Sequence, residues 1–153
     1  MATDNPIHTL IDLTKTRAGE AAQQLQTATT TRDGAQEQLA TLHVYRQDYI
    51  ERFEKASAEG MSAANYHNFR QFIATLDEAI SQQNRVVTQL DQKVELGKQR
   101  WLDQKRQLTS YEALLMRQEN ERRAQLNRKE QILNDEMSMH QYRRNQPQAK
   151  GNG

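Results

Sequence analysis

The sequence contains no cysteine and only two prolines among its 153 residues. Without cysteine, the chain can form neither a disulfide nor a thiolate metal site. Nothing in it approaches the roughly 18 consecutive apolar residues that a membrane-spanning helix needs. The first residues also lack the basic segment followed by an apolar stretch that marks a secretory signal. These absences predict a cytoplasmic protein without disulfides and without direct membrane insertion.

The chain also has no large excess of positive or negative charge. The 21 basic and 20 acidic residues leave a formal net charge of +1. So small a net charge creates no broad field to attract nucleic acid, so we expect no nucleic-acid partner. The four histidines are widely spaced, and no phosphate-binding loop, nucleophile motif or zinc spacing is present. We therefore expect neither enzymatic activity nor a cofactor.

Hydrophobic residues, at 35%, are too few for a globular core of several layers, but they suffice for one seam between helices. Complete disorder is the competing interpretation, and a sustained heptad row argues against it. In the second half of the chain, apolar residues recur at alternating spacings of three and four, the period of a coiled-coil seam. This row comprises Tyr66, Phe69, Ile73, Leu76, Ile80, Gln83, Val87, Leu90, Val94, Gly97, Trp101, Gln104, Leu108, Tyr111 and Leu115.

A weaker, alanine-rich row precedes it. Asn5 and Pro6 form a good helix start, and Gly60 with Ser62 suits a helix end followed by a new N-cap. Two long helices joined by so short a connection should fold back antiparallel. The first row comprises Ile7, Ile11, Thr14, Ala18, Ala21, Leu25, Ala28, Arg32, Ala35, Leu39, Leu42, Arg46, Tyr49 and Phe53.

The two rows match when paired residue numbers sum to 122, as in Phe53 with Phe69 and Leu25 with Gly97. Large residues then face small ones across the seam. A register shifted by one seam position remains the alternative. Residues beyond about Leu115 should have no intrachain partner, and the apolar row fails there.

The sequence thus predicts an all-α fold, a long two-helix antiparallel coiled-coil hairpin forming a single domain. We expect a helix over about 6–56, a turn over about 57–62, a helix over about 63–141 and a disordered basic tail over about 142–153.

Surplus apolar surface is predicted near the closed end of the hairpin. Tyr45 and Phe72 lie beside the seam columns rather than in them. One interpretation is a locally widened core. The other is a patch that binds a partner, because exposed aromatic residues make good binding anchors.

The chain resembles the flagellar type III export protein family FliJ. The most specific segments are EQLATLHVY, from Glu37 to Tyr45 and continuing to Tyr49, then NFRQFIATL, from Asn68 to Leu76, and QKV, from Gln92 to Val94. Coiled coils share composition easily, but they do not share strings like these.

The resemblance implies a hairpin similar to the central stalk, or gamma, subunit of rotary ATPases. In that family the protein works in the ring of the hexameric flagellar export ATPase and promotes its assembly and activity. It also engages the cytoplasmic linker of the export-gate membrane protein and escorts substrate chaperones. The resemblance therefore implies a cytoplasmic protein peripherally associated with the inner membrane at the export apparatus. The alternative is a generic coiled-coil chaperone or scaffold without an ATPase partner.

The family's gate-binding stripe carries over to Gln38, Leu42, Tyr45, Tyr49, Phe72, Leu76, Ala79 and Gln83. The last position is a histidine in the family and Gln83 here. This departure removes a titratable side chain but keeps a hydrogen-bonding one. No motif defines the residues that face the ATPase. The candidates are Lys15, Arg17, Arg106 and Arg117.

Overall fold

The computed structural model describes residues 5–147, and nearly all of them are helical. Helix α1 spans Pro6–Glu59 and helix α2 spans Ala63–Asn145, with no strand in this described range. The two helices contact each other, and the fold is an all-α helical hairpin. This confirms the predicted fold class.

Helix α1 begins where the sequence predicts. The Asn5 side-chain Oδ1 accepts a hydrogen bond from the Ile7 backbone N–H at 3.2 Å. The Asn5 carbonyl accepts another from the His8 N–H at 2.9 Å. Pro6, which has no N–H to satisfy, occupies the first helical position.

The connection between the helices is shorter than predicted. Residues Ser57 to Glu59 continue α1, so the predicted helix end at about residue 56 is wrong by three positions. The helix ends only at Gly60, whose φ of 98° lies in the left-handed region that glycine adopts without strain. Ser62 then caps α2, accepting a hydrogen bond from the Asn65 N–H at its Oγ, 3.2 Å away.

Helix α2 also runs further than predicted, to Asn145 rather than about residue 141. Its last turn carries Arg143 and Arg144, whose charges interact favourably with the partial negative charge of a helix C-terminus. The predicted disordered tail over 142–153 is therefore wrong for residues 142–145. Its remainder from residue 148 lies outside the described residues.

The chain divides into two compact units. One consists of Leu13–Gln107. In it, the rings of Phe53 and Phe69 lie 5.5 Å apart, and a Cβ placed on Gly97 would lie 3.4 Å from Leu25 Cδ1. Both contacts join residues whose numbers sum to 122. They confirm the predicted register.

The core is thin and follows the two predicted rows. With the exception of Tyr66, every row position is buried or half-buried. No side chain among residues 5–147 is completely enclosed. The most buried residues are Ile7, Ile11, Thr14, Ala21, Ala35, Leu76, Ile80, Val87 and Val94. The hairpin is thus held by a single seam.

The other unit consists of the residues up to Asp12 and those from Leu108 onward. Ile7 and Ile11 are buried here, and the Asn5 Nδ2 donates a hydrogen bond to the Gln118 Oε1 at 2.8 Å. Every residue from Asn120 to Pro147 is exposed. This confirms the predicted end of the seam near Leu115.

Candidate protein-binding site

The Leu13–Gln107 unit has two chemically different flanks, one on each side of the seam. In heptad notation, with seam positions a and d, the d and g residues of both helices meet on one side, and the a and e residues meet on the other. We call the d/g side the open flank and the a/e side the ion-paired flank.

All eight predicted gate-binding residues lie on the open flank. Gln38 and Tyr45 occupy g positions of α1, and Phe72 and Ala79 occupy g positions of α2. The other four occupy the adjoining d positions: Leu42, Tyr49, Leu76 and Gln83. The heptad spacing therefore places residues from two distant segments of the sequence on one surface.

Contacts across the seam bring the two segments together. The rings of Tyr49 and Phe72 stack at a tilt of 45°, with their centroids 4.3 Å apart. Gln83 donates from Nε2 to the Ala35 carbonyl at 2.9 Å and to the Gln38 Oε1 at 3.2 Å. The amide at this position therefore makes a cross-helix hydrogen-bond pair within the stripe.

The exposure of the two lateral aromatic residues argues against the widened-core interpretation of the patch. Tyr45 is 58% exposed and Phe72 is 45% exposed, so neither belongs to a widened core. Leu76 is only 8% exposed and is a seam residue. Within the predicted stripe, the accessible aromatic surface is thus supplied by Tyr45 and Phe72.

Further aromatic rings support this patch from the closed end of the hairpin. Phe69 lies between Tyr49 and Phe53, with ring centroids 5.0 Å and 5.5 Å away. Phe53 in turn contacts Tyr66 at 5.3 Å. Tilted pairs at such separations are favourable aromatic contacts. They hold the Tyr49 ring, and through it the Phe72 ring, in a defined place.

On the ion-paired flank, charged side chains of the two helices contact each other. Arg46 at an a position pairs with Asp77 at an e position of the other helix. Arg32, also at an a position, pairs with Asp33 at 3.0 Å and reaches Asp91 at 3.7 Å. The arginines that interrupt the first apolar row thus direct their guanidinium groups to this side.

The four bases predicted to face the ATPase are not confined to one unit. Lys15, Arg17 and Arg106 belong to the Leu13–Gln107 unit, whereas Arg117 belongs to the other. All four are exposed, and they occupy four different heptad positions. Arg106 pairs with Asp103 on its own helix at 3.6 Å. Their role stays a prediction.

The described residues offer little other site chemistry. Between residues 5 and 147, no group of three or more His, Asp or Glu side chains is arranged to hold a metal ion. Over the same stretch, neither helix is long and apolar enough to cross a membrane.

The sequence reasoning missed a groove on the open flank. It is an open depression of about 520 Å³ beside Ala28 and Leu90. Its sequence signal is the small residue at the d position, because alanine there leaves room that a larger seam residue would fill.

A family match and two relatives all indicate the same family of proteins. The family described as "Flagellar FliJ protein" matches residues 3–147. The chain is similar to a flagellar FliJ protein of Salmonella typhi, with 32% identity over 118 residues, covering 77% of this chain and 80% of the relative. It is also similar to that of Escherichia coli K12, with 30% identity over 138 residues, covering 90% and 94%.

Proposed function

The chain belongs to the FliJ family of flagellar proteins, and from this premise we propose that it is a stalk-like coiled-coil adaptor of the export ATPase. Membership of the family supports a role in flagellar protein export and an association with the export apparatus. The proposal adds three partners: the hexameric export ATPase, the cytoplasmic linker of the export-gate membrane protein, and substrate chaperones.

The open flank is the surface that binds the gate linker. The observation that carries this assignment is the exposure of Tyr45 and Phe72, 58% and 45%, on the flank where no ion pair crosses the seam in the described chain. Exposed aromatic side chains make good anchors, and the Phe72 ring, which stacks on Tyr49, loses little conformational entropy on binding. Gln38 and Gln83 supply hydrogen-bonding groups beside them.

The action on the ATPase is mechanical rather than chemical. A coiled coil with two unlike flanks, inserted in a six-fold ring, presents different contacts to different subunits. A ligand that contacts the subunit states differently shifts the equilibrium among them. The adaptor would thereby favour ring assembly and order the hydrolysis events, while Lys15, Arg17, Arg106 and Arg117 are the candidate contacts. Binding to the gate would hold it peripherally at the inner membrane, where it also receives substrate chaperones.

One assay tests the ATPase partner. The purified chain is added to the cognate export ATPase, and hexamer formation and ATP turnover are followed. We expect both to rise. If neither changes, the stalk role is wrong and the chain is a coiled-coil chaperone or scaffold without an ATPase partner.

A second assay tests the gate site. The double variant Tyr45→Ala with Phe72→Ala should bind the gate linker more weakly and should retain its helicity and its stimulation of the ATPase. The matched control is Arg46→Ala with Asp77→Ala, which removes a cross-helix contact from the ion-paired flank. Equal loss of binding in both variants, or loss of helicity in the first, would contradict the site.

A further inference from the structure

The groove on the open flank lies one to two heptads beyond the stripe. Ala28 and Leu90, both at d positions, form its floor. Thr27 and Thr31 border it on α1, and Lys93 borders it on α2. Its volume, about 520 Å³, accommodates several side chains of a bound segment.

The groove and the stripe lie on the same flank, at d and g positions of both helices. Val86, at the g position between Ala79 and Lys93, is 41% exposed and extends the apolar surface from the aromatic patch to the groove. Lys93 lies 21 positions after Phe72, about 30 Å along α2 at the rise of an α-helix. One bound helix of similar length spans the whole distance.

The charges on this flank determine which charged side chains of a bound segment are favoured at each border of the groove. Within Leu13–Gln107, no d or g position holds an acid, whereas g positions hold Arg17, Arg52, Lys93 and Arg100. No ion pair engages Lys93 within residues 5–147. Glu20 is the one acid at the groove, and it lies on the α1 border. A carboxylate is therefore favoured at the α2 border and a base or neutral group at the α1 border.

We propose that the gate segment bound at the aromatic stripe continues as an amphipathic helix into this groove. Its small aliphatic side chains pack on Ala28 and Leu90, and a carboxylate on its edge pairs with Lys93. This inference rests on the proposed function, because the occupant is the export-gate linker. It adds a second contact area, outside the eight stripe residues, that lengthens the bound segment and determines its direction along the flank.

The test measures the affinity of the full chain for the purified cytoplasmic part of the export-gate protein, including its linker. Thr31→Arg blocks the groove from an exposed g position, and Lys93→Glu reverses the charge at its border. Each has a matched control away from the groove: Thr30→Arg at an f position and Lys98→Glu at an e position, both exposed. We expect each groove variant to weaken binding about tenfold. We expect the controls to stay within about twofold, since surface substitutions away from an interface change little. The loss caused by Lys93→Glu should shrink at high salt.

The outcomes separate this inference from the proposed function. If the groove variants bind like their controls while Tyr45→Ala with Phe72→Ala loses binding, the footprint ends at the stripe and this inference is overturned. If the aromatic variant also binds normally, the proposed gate site fails too. Circular dichroism of each variant identifies any loss of helicity. Neither Thr31 nor Lys93 is a seam residue, so we expect none.

Discussion

The two flanks of the Leu13–Gln107 unit are built on the same two helices, yet they differ in chemistry. On one side, Arg46 pairs with Asp77 and Arg32 reaches Asp91 across the seam. On the other side lie exposed aromatic rings, an amide pair and a groove, and no ion pair crosses the seam there within the described residues. A heptad seam therefore stabilises the hairpin without making its surface uniform. The proposed gate site lies on the flank that the cross-helix ion pairs leave free.

The ion pairs contribute little to stability. Arg46 and Asp77 are 37% and 51% exposed, and water screens pairs so exposed. The seam residues contribute the main stabilising term because their apolar surface is removed from water. We propose that the difference between the flanks serves partner recognition. Four predictions test this, in order of decreasing expected effect.

The largest effect is expected at the place where seam and binding surface overlap. Leu76→Ala should lower the free energy of unfolding by about 2–3 kcal/mol, because it removes a buried side chain and leaves a gap in the only seam between the helices. Phe72→Ala, at a 45% exposed position, should cost less than about 1 kcal/mol. Urea unfolding followed by circular dichroism measures both. An equal cost at the two positions would make Phe72 a core residue.

Placing charges on the open flank should weaken gate binding, whereas removing charges from the ion-paired flank should not. Tyr45→Lys with Phe72→Glu makes the open flank charged and should weaken gate binding at least about thirtyfold, or about 2 kcal/mol. The reciprocal variant, Arg46→Leu with Asp77→Leu, removes charge from the ion-paired flank and should leave gate binding unchanged. Titration of the gate linker against each variant checks this. A similar loss in both would mean that the flanks do not discriminate.

A smaller effect is expected from the amide pair. Gln83→Ala removes the hydrogen bonds to the Ala35 carbonyl and to Gln38, and should lower the free energy of unfolding by about 1 kcal/mol. Gln82→Ala is the control, since its side chain is exposed and lies off the seam. Thermal unfolding of the two variants provides the comparison, and equal midpoints would show that the amide pair contributes nothing.

The smallest effect is expected on the ion-paired flank. A double-mutant cycle with Arg46→Ala and Asp77→Ala should give a coupling energy of about 0.5 kcal/mol, because both side chains are more than one-third exposed. The coupling should fall towards zero at about 1 M salt. A value above about 2 kcal/mol that resists salt would mean that this flank helps to hold the hairpin.

Most of the fold follows from the spacing of apolar residues. Phe53 with Phe69 and Leu25 with Gly97 were predicted as partners from number sums alone, and the structure pairs them. The failure of the row after Leu115 predicted the exposed stretch from Asn120. The helix ends were less predictable. Only the need for positive φ at Gly60 decides where α1 ends, and composition places that boundary within a few residues at best.

The candidate site was less accessible to sequence reasoning. Spacing placed Tyr45 and Phe72 beside the seam columns and left open whether they were core or surface. Spacing also gave no indication that Arg32 pairs with Asp33 and reaches Asp91. The groove beside Ala28 was not foreseen, because a small seam residue indicates equally well a close approach of the helices or a gap.

The heptad period and the single short connection specify from sequence which residues form the seam and, to within one seam position, which of them face each other. The contacts that long side chains make on either side of that seam depend on the tertiary structure. The direction of a long side chain such as Arg46, Gln83 or Tyr45 depends on the charges, carbonyls and rings that the opposite helix presents. Those neighbours are distant in sequence and become neighbours only when the hairpin closes.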